Sequence, residues 1–307
     1  MKPLKNVAAS VHQRLLNLAR QSGRPFNELA QYYALERWLY RLAQSDYRNQ
    51  FVLKGALMLL VWKIPVTRPT RDIDLLARVS NNLESVREVI ATICQVPTEG
   101  DGMFFDSETV TTGHIAEDAD YEGVRATFRA SLGNTRLPMQ IDLGFSDIIT
   151  LEPAAIVYPA ILGHPSPELH AYNRETVIAE KFEAMVKLGE LNSRMKDFFD
   201  IWVLAKIGQF RGAELSLAIE QTFSRRGTAL VADPICFTVE FATNSGKAVQ
   251  WRAFLRRNTY ADVPDSFSGV IKFLAGFLRP VTLSAIEKQP LDSIWHPGGP
   301  WASVGFR

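Results

Sequence analysis

Two acidic side chains stand two positions apart in Arg71-Asp72-Ile73-Asp74-Leu75-Leu76, a run that otherwise reads as a buried strand. Residues i and i+2 of a strand share a face. Asp72 and Asp74 are therefore side by side, with Ile73 and Leu75 turned to the core behind them. Carboxylates that close repel each other unless a cation lies between them. A divalent ion with oxygen ligands meets that need, and Mg²⁺ commonly takes one or two carboxylates together with substrate phosphates. The plain alternative is a solvated edge strand whose acids pair with Arg68, Arg71 or Arg78.

Three further features favour the metal. Asp142 lies in the apolar run Ile141-Asp142-Leu143, where a lone acid is costly to bury. It either supplies a third ligand from a neighbouring strand or pairs with Arg125 or Arg129 on the adjacent hairpin strand. Gly55 follows Phe51-Val52-Leu53-Lys54 at a strand-to-helix turn, where backbone N–H groups and a helix N-terminus can hold phosphate. Lys181, on a later helix, either meets a triphosphate as a point charge or pairs with Glu180 or Glu183. Asp197 and Asp200 share one helix face; they orient Lys181 or Arg194, position a base or ribose, or form a structural ion-pair set.

Other chemistries have no support. The five histidines are scattered, and there is no G-x-G-x-x-G, no G-K-[ST] and no G-x-S-x-G. Between residues 247 and 279 six bases (Lys247, Arg252, Arg256, Arg257, Lys272, Arg279) face two acids, Asp262 and Asp265, with Trp251, Phe254 and Tyr260 interleaved. Such a face can hold an RNA backbone with bases stacked nearby, and Arg225-Arg226-Gly227 could extend it. An amphipathic helix with solvated arginines has the same pattern.

The elements that must position these groups follow from periodicity and punctuation. A helical hairpin opens the chain, with Ser10 as a cap, Gly23 as a stop and Pro25 starting the second helix. Residues 51–53 and 71–76 read as strands, 56–62 as an apolar helix, and a helix capped by Asn81 or Asn82 follows. Residues 97–122 read as loops and short edge strands. Residues 124–130 and 139–145 alternate about Gly133-Asn134 as a hairpin. Pro153, Pro159, Pro165 and Pro167 mark a connection. Helices are expected near 175–189, 195–207, 213–223, 247–258 and 267–279, and an irregular tail around 295–301.

The 307 residues are 47% hydrophobic and 22% charged, which excludes a disordered chain, a collagen and a coiled coil. A net charge of +1 argues against coating nucleic acid by bulk charge. Two cysteines, Cys94 and Cys236, suggest neither a zinc site nor a disulfide framework and fit a reducing compartment. The N-terminus lacks the apolar stretch of a signal peptide. The apolar run Ala56–Trp62 is far short of the roughly 20 residues that cross a bilayer. A cytoplasmic protein with no membrane partner is expected.

The order Leu53-Lys54-Gly55, Arg71-Asp72-Ile73-Asp74-Leu75, Ile141-Asp142-Leu143 resembles the DNA-polymerase-β-type nucleotidyltransferase fold. Phe51–Gly55 with Thr70–Leu75, then Ala179-Glu180-Lys181-Phe182-Glu183-Ala184-Met185 and Lys196-Asp197-Phe198-Phe199-Asp200, resemble the AbiEii/AbiGii toxin family of nucleotidyltransferases. The resemblance covers about residues 10 to 205. It implies an α+β fold, a mixed sheet flanked by helices, with N-terminal helices and a helical C-terminal domain; the expected domains are 1–165 and 166–307. It further implies the toxin of a toxin–antitoxin or phage-defence system that uses Mg²⁺ and an NTP, with a cognate antitoxin encoded nearby and, in some members, the 3′ end of tRNA as acceptor. Asp72, Asp74 and Asp142 would hold two Mg²⁺ ions. Lys54, Gly55, Ala56, Lys181, Asp197 and Asp200 would serve the nucleotide, and Arg252, Arg256 and Arg257 the RNA. Many relatives carry Gly, Ser or Thr after the motif glycine; Ala56 leaves that contact to backbone N–H groups. Two other outcomes are transfer to a small molecule or protein side chain, and a non-catalytic protein on this fold that binds nucleic acid or antitoxin.

Overall fold

The computed structural model describes residues 6–64, 70–115, 123–145, 149, 152–256 and 263–303. Apart from short connecting segments, the chain forms one compact unit that ends at Tyr172 and a second that begins at Asn173.

The first unit contains α1 (Val7–Ser22), α2 (Phe26–Gln44), β1 (Phe51–Lys54), α3 (Met58–Val61), β2 (Asp72–Ala77), α4 (Leu83–Cys94), β3 (Met103–His114), β4 (Val124–Leu132), β5 (Thr135–Gly144), β6 (Ala154–Val157) and β7 (Glu168–Ala171). The strands form one mixed sheet in the order β3-β4-β5-β2-β1-β7-β6. The two strands that carry the acids, β2 and β5, are parallel neighbours, whereas β1 runs antiparallel to β2. One sheet face is apolar and covered: Ile73, Leu75, Ala126, Phe128, Met139 and Ile141 are buried, and Trp38 of α2 packs on Phe128. On strands, burying every second residue leaves the intervening set together on the other face. That second face carries the acids.

Several boundaries differ from the sequence expectations. The first helix is capped by Asn6, whose side chain accepts from the Ala9 N–H, and Ser10 lies inside it. The earlier start places Val11 and Leu15 on the buried stripe. Residues 97–122 hold a twelve-residue edge strand, β3. Most of its residues from Asp106 to His114 are polar and only one side is paired, so the run lacks the alternation of a half-buried strand. The proline-rich connection contains β6 and β7, each with a proline just before its start, where no ladder N–H is lost.

The second unit comprises α5 (Arg174–Leu188), α6 (Met195–Ile207), β8 (Phe210–Arg211), α7 (Gly212–Arg226), α8 (Val239–Thr243), α9 (Ser245–Arg256), α10 (Phe267–Glu287), β9 (Ser293–Trp295) and β10 (Trp301–Ser303). The tail expected to be irregular pairs as β10-β9-β8. Trp295 anchors it, buried, with its indole N–H donating to the Ala205 carbonyl and its ring against Phe277 and Trp301. Helix α10 is long and apolar enough to cross a membrane by length and composition. Its Leu274, Phe277, Leu278 and Val281 are buried within the protein.

Candidate active site

Strand geometry brings the acids together as the i, i+2 spacing requires. Asp72 and Asp74 are partly exposed, while Ile73 and Leu75 between and beyond them are fully buried. Parallel pairing of β2 with β5 sets Asp74 directly beside Asp142. One carboxylate oxygen from each of Asp72, Asp74 and Asp142 lies within 4.8 Å of the others. Three hard oxygen donors on adjoining strands, open to solvent, suit a divalent cation such as Mg²⁺.

Asp142 lies beside Asp74 and is also paired with Arg125. Arg125 of β4 grips it through Nε and a terminal nitrogen, each at 2.8 Å from a carboxylate oxygen, and the Gln140 amide donates to both oxygens at 3.2 Å. The guanidinium thus already neutralises part of the Asp142 charge. Arg125→Gln is expected to tighten Mn²⁺ binding by about tenfold, the effect of removing roughly 1.4 kcal/mol of competition, measured by electron paramagnetic resonance without nucleotide. Unchanged or weaker affinity would show that Arg125 does not compete. Thr70 holds the other end of the cluster, its hydroxyl donating to Asp72. Gln140 escaped the sequence reading, although its position two before Asp142 on a strand was the available signal.

Gly55 has a φ of +73°, and the carboxylate of Asp74 lies against its α-carbon; an added Cβ would sit 1.8 Å from Asp74 Oδ2. Lys54 is the strand partner of Asp74, and its ammonium lies 5.7 Å from the centre of the Tyr172 ring. The expected helix after Gly55 is a 3₁₀ turn, Gly55–Leu57, followed by the one-turn α3. So short a helix adds little dipole. Ala56 is buried and carries no hydroxyl, so any phosphate contact at this residue would fall to its backbone N–H.

In the second unit Lys181 meets both helical acids, Asp197 and Asp200. Its ammonium lies 2.8 Å from both Asp197 Oδ1 and Asp200 Oδ2, and Arg194 reaches Asp197 Oδ2 at 2.8 Å. Asp197 and Asp200 are almost wholly buried, so their carboxylates face Lys181 inside the protein. Glu180 and Glu183 are taken by Arg226. Burial alone would raise the Asp197 carboxyl, but Lys181 and Arg194 hold it below its ordinary value. A depressed carboxylate stabilises the fold above its unfolded pKa of about 3.9, and that stability is lost as pH falls through the folded value. Lys181→Ala leaves two buried charges short of a partner and is expected to cost about 3–5 kcal/mol, read as a denaturation midpoint at neutral pH. Equal stability of variant and wild type would contradict the buried pairing. Nucleotide binding by this variant must therefore be read well below its lowered melting temperature.

The C-terminal basic stretch differs from its expected form. Arg252 and Arg256 are exposed on α9, and Arg257 and Tyr260 lie outside the described residues. Trp251 is fully buried and so is no stacking platform; Phe254, half-buried, packs on it and on Phe199. Lys247 is buried and donates to the carbonyls of Glu190 and Asn192. Arg226, which was to extend the patch, is committed to Glu180 and Glu183.

No curated protein sequence matches the chain. Among solved structures it is similar to MenT4, a nucleotidyltransferase toxin from Mycobacterium tuberculosis H37Rv, with a TM-score of 0.59 and 15% identity over 88% of this chain and 89% of that one. JHP933 from Helicobacter pylori gives a TM-score of 0.44 and 14% identity over 93% and 96%. At such identities the MenT4 likeness shows the fold, a nucleotidyltransferase-type mixed sheet with flanking helices. The family model described as "Nucleotidyl transferase AbiEii toxin, Type IV TA system" matches residues 37–272, well over half of the chain. A match of that extent decides membership: the chain belongs to the AbiEii family of nucleotidyltransferase toxins of type IV toxin–antitoxin systems.

Proposed function

We propose that this toxin transfers a nucleotidyl group from an NTP to the 3′-hydroxyl of an RNA, tRNA first, in the cytoplasm, and that an antitoxin encoded nearby opposes it. The acceptor oxygen forms a bond to the α-phosphorus, the bond to pyrophosphate breaks, and the hydroxyl proton passes to solvent. The observation that carries this is the convergence of Asp72, Asp74 and Asp142 on adjoining strands beside the Gly55 turn. Asp72, Asp74 and Asp142 would hold Mg²⁺, two ions during transfer. Bound there, Mg²⁺ neutralises phosphate charge and lowers the pKa of the attacking hydroxyl. Gly55 leaves Asp74 the room to turn inward. The backbone of Lys54, Gly55 and Ala56 serves the nucleotide phosphates. Within the second unit, Lys181, held by Asp197 and Asp200, is the nucleotide-binding lysine of this reading. Arg252 and Arg256 keep the charge for a weaker contact with RNA backbone.

Incubation with each α-labelled NTP and total tRNA, with and without Mg²⁺, tests this directly. Mg²⁺-dependent label on tRNA is the expected result. Label on a small molecule or a protein instead, or none at all, would overturn it.

A further inference from the structure

The order of strands around the acids gives the site two unlike flanks. Across the sheet run β1 with the Gly55 turn, β2 with Asp72 and Asp74, β5 with Asp142, and then β4 and β3. In-line transfer places the attacking and leaving oxygens on opposite sides of the phosphorus. With the phosphate-holding turn on the β1 flank, pyrophosphate departs there, and the acceptor must come from the β5–β4–β3 flank.

That flank is an open polar sheet face. Residues paired across an antiparallel ladder point the same way, so each row across β5, β4 and β3 shares the face of Asp142. The rows are Gln140, Thr127 and Thr111, then Pro138, Arg129 and Asp106, then Arg136, Ser131 and Phe104. Six residues separate Asp142 from Arg136, about 20 Å along a strand. A groove of about 830 Å³ begins at Asp72 and runs between Gln140, Thr127, Arg129 and Glu108. Arg136 is exposed, and the Arg129 side chain is 75% exposed, with Asp106 at 3.8 Å. A surface pair that loose exchanges readily for a phosphate. At the far end Phe104 is 63% exposed, an aromatic ring on the same face.

We propose that this face of β5, β4 and β3 is the acceptor track, seating the single-stranded 3′ end of the RNA with phosphates on Arg129 and Arg136 and a base stacked on Phe104. It rests on the transferase function proposed above and names where that acceptor lies. Spaced cations with an exposed aromatic suit a polyanion that carries bases, whereas a small molecule would need neither the length nor the distant ring. Asp106 and Glu108 at the outer rim keep the track from being indiscriminately basic.

The test is binding of 5′-labelled total tRNA to the NTP-free, full-length protein by fluorescence anisotropy across a salt series. Arg129→Glu combined with Arg136→Glu should weaken binding at least tenfold and flatten the log–log salt slope by about 1.4–1.8, the loss of two phosphate contacts. Phe104→Ala should weaken it about tenfold through lost stacking. NTP affinity and melting temperature should stay at wild-type values in all these variants. Arg252→Glu with Arg256→Glu should have the smaller effect. If wild-type protein binds tRNA and the Arg129/Arg136 and Phe104 variants bind it equally well, the track is wrong and the transferase proposal survives. A loss of NTP affinity equal to the loss of tRNA affinity also overturns the track. If wild-type protein binds no tRNA and labels another acceptor, both proposals fall.

Discussion

Asp72→Asn and Asp74→Asn are each expected to give a folded protein whose nucleotidyl transfer falls by about 10³-fold or more, beyond the roughly 10²–10³ lost with a single preorganised donor. Both side chains are partly exposed and face away from the core, so neither change opens a cavity. Each also removes one of three negative charges whose oxygens lie within 4.8 Å. Relief of that repulsion should hold or raise the melting temperature, by about 2–4 °C per kcal/mol for a domain of this size. Activity and stability are therefore expected to move in opposite directions, the mark of a strained functional cluster. Asp142→Asn should differ, because it also breaks the bidentate Arg125 contact. Label-transfer kinetics and thermal melts on the same preparations settle the matter; either Asn variant with near wild-type turnover would remove its carboxylate from the reaction.

Gly55→Ala is the second large effect. Its added Cβ would lie 1.8 Å from Asp74 Oδ2 and 2.5 Å from Asp74 Cγ. No rotamer adjustment of a few tenths of an ångström relieves that overlap. Asp74 must swing away from Asp72 and Asp142, or the turn must shift. The positive φ adds about 1–2 kcal/mol of backbone strain for any residue with a Cβ. The expected outcome is a loss of transfer within about tenfold of that in Asp74→Asn, with Mn²⁺ affinity reduced alongside. If Gly55 acts through Asp74, the double variant Gly55→Ala/Asp74→Asn should be no worse than Asp74→Asn alone, since effects within one unit do not add. Additive losses would mean that the glycine serves the nucleotide independently of the carboxylate.

The acids were legible because strand periodicity is a local property. Asp72 and Asp74 share a face through backbone geometry alone, and Ile73 and Leu75 announce which face is covered. The core helices of the second unit were legible for the same reason, with α6 at the expected 195–207. Weak spots were elements whose identity comes from a partner. Edge strand β3 and the short β6 and β7 exist as pairings, and β9 and β10 exist because Trp295 is anchored in the core of the second unit. Trp251 had the spacing of a stacking ring, but burial is set by neighbours distant in sequence and turned it inward.

By itself, the sequence determined the chemistry on offer: a carboxylate pair on one strand face, a third acid on an apolar strand, a glycine turn, and a helical lysine followed by two helical acids. Local geometry and side-chain type suffice for that. Only the tertiary structure decided which charges meet. The parallel register of β2 and β5 set Asp142 beside Asp74, cross-strand pairing gave it Arg125, and helix packing closed Asp197 and Asp200 around Lys181. Electrostatic energy depends on separation and burial, and chain spacing fixes neither for residues tens of positions apart.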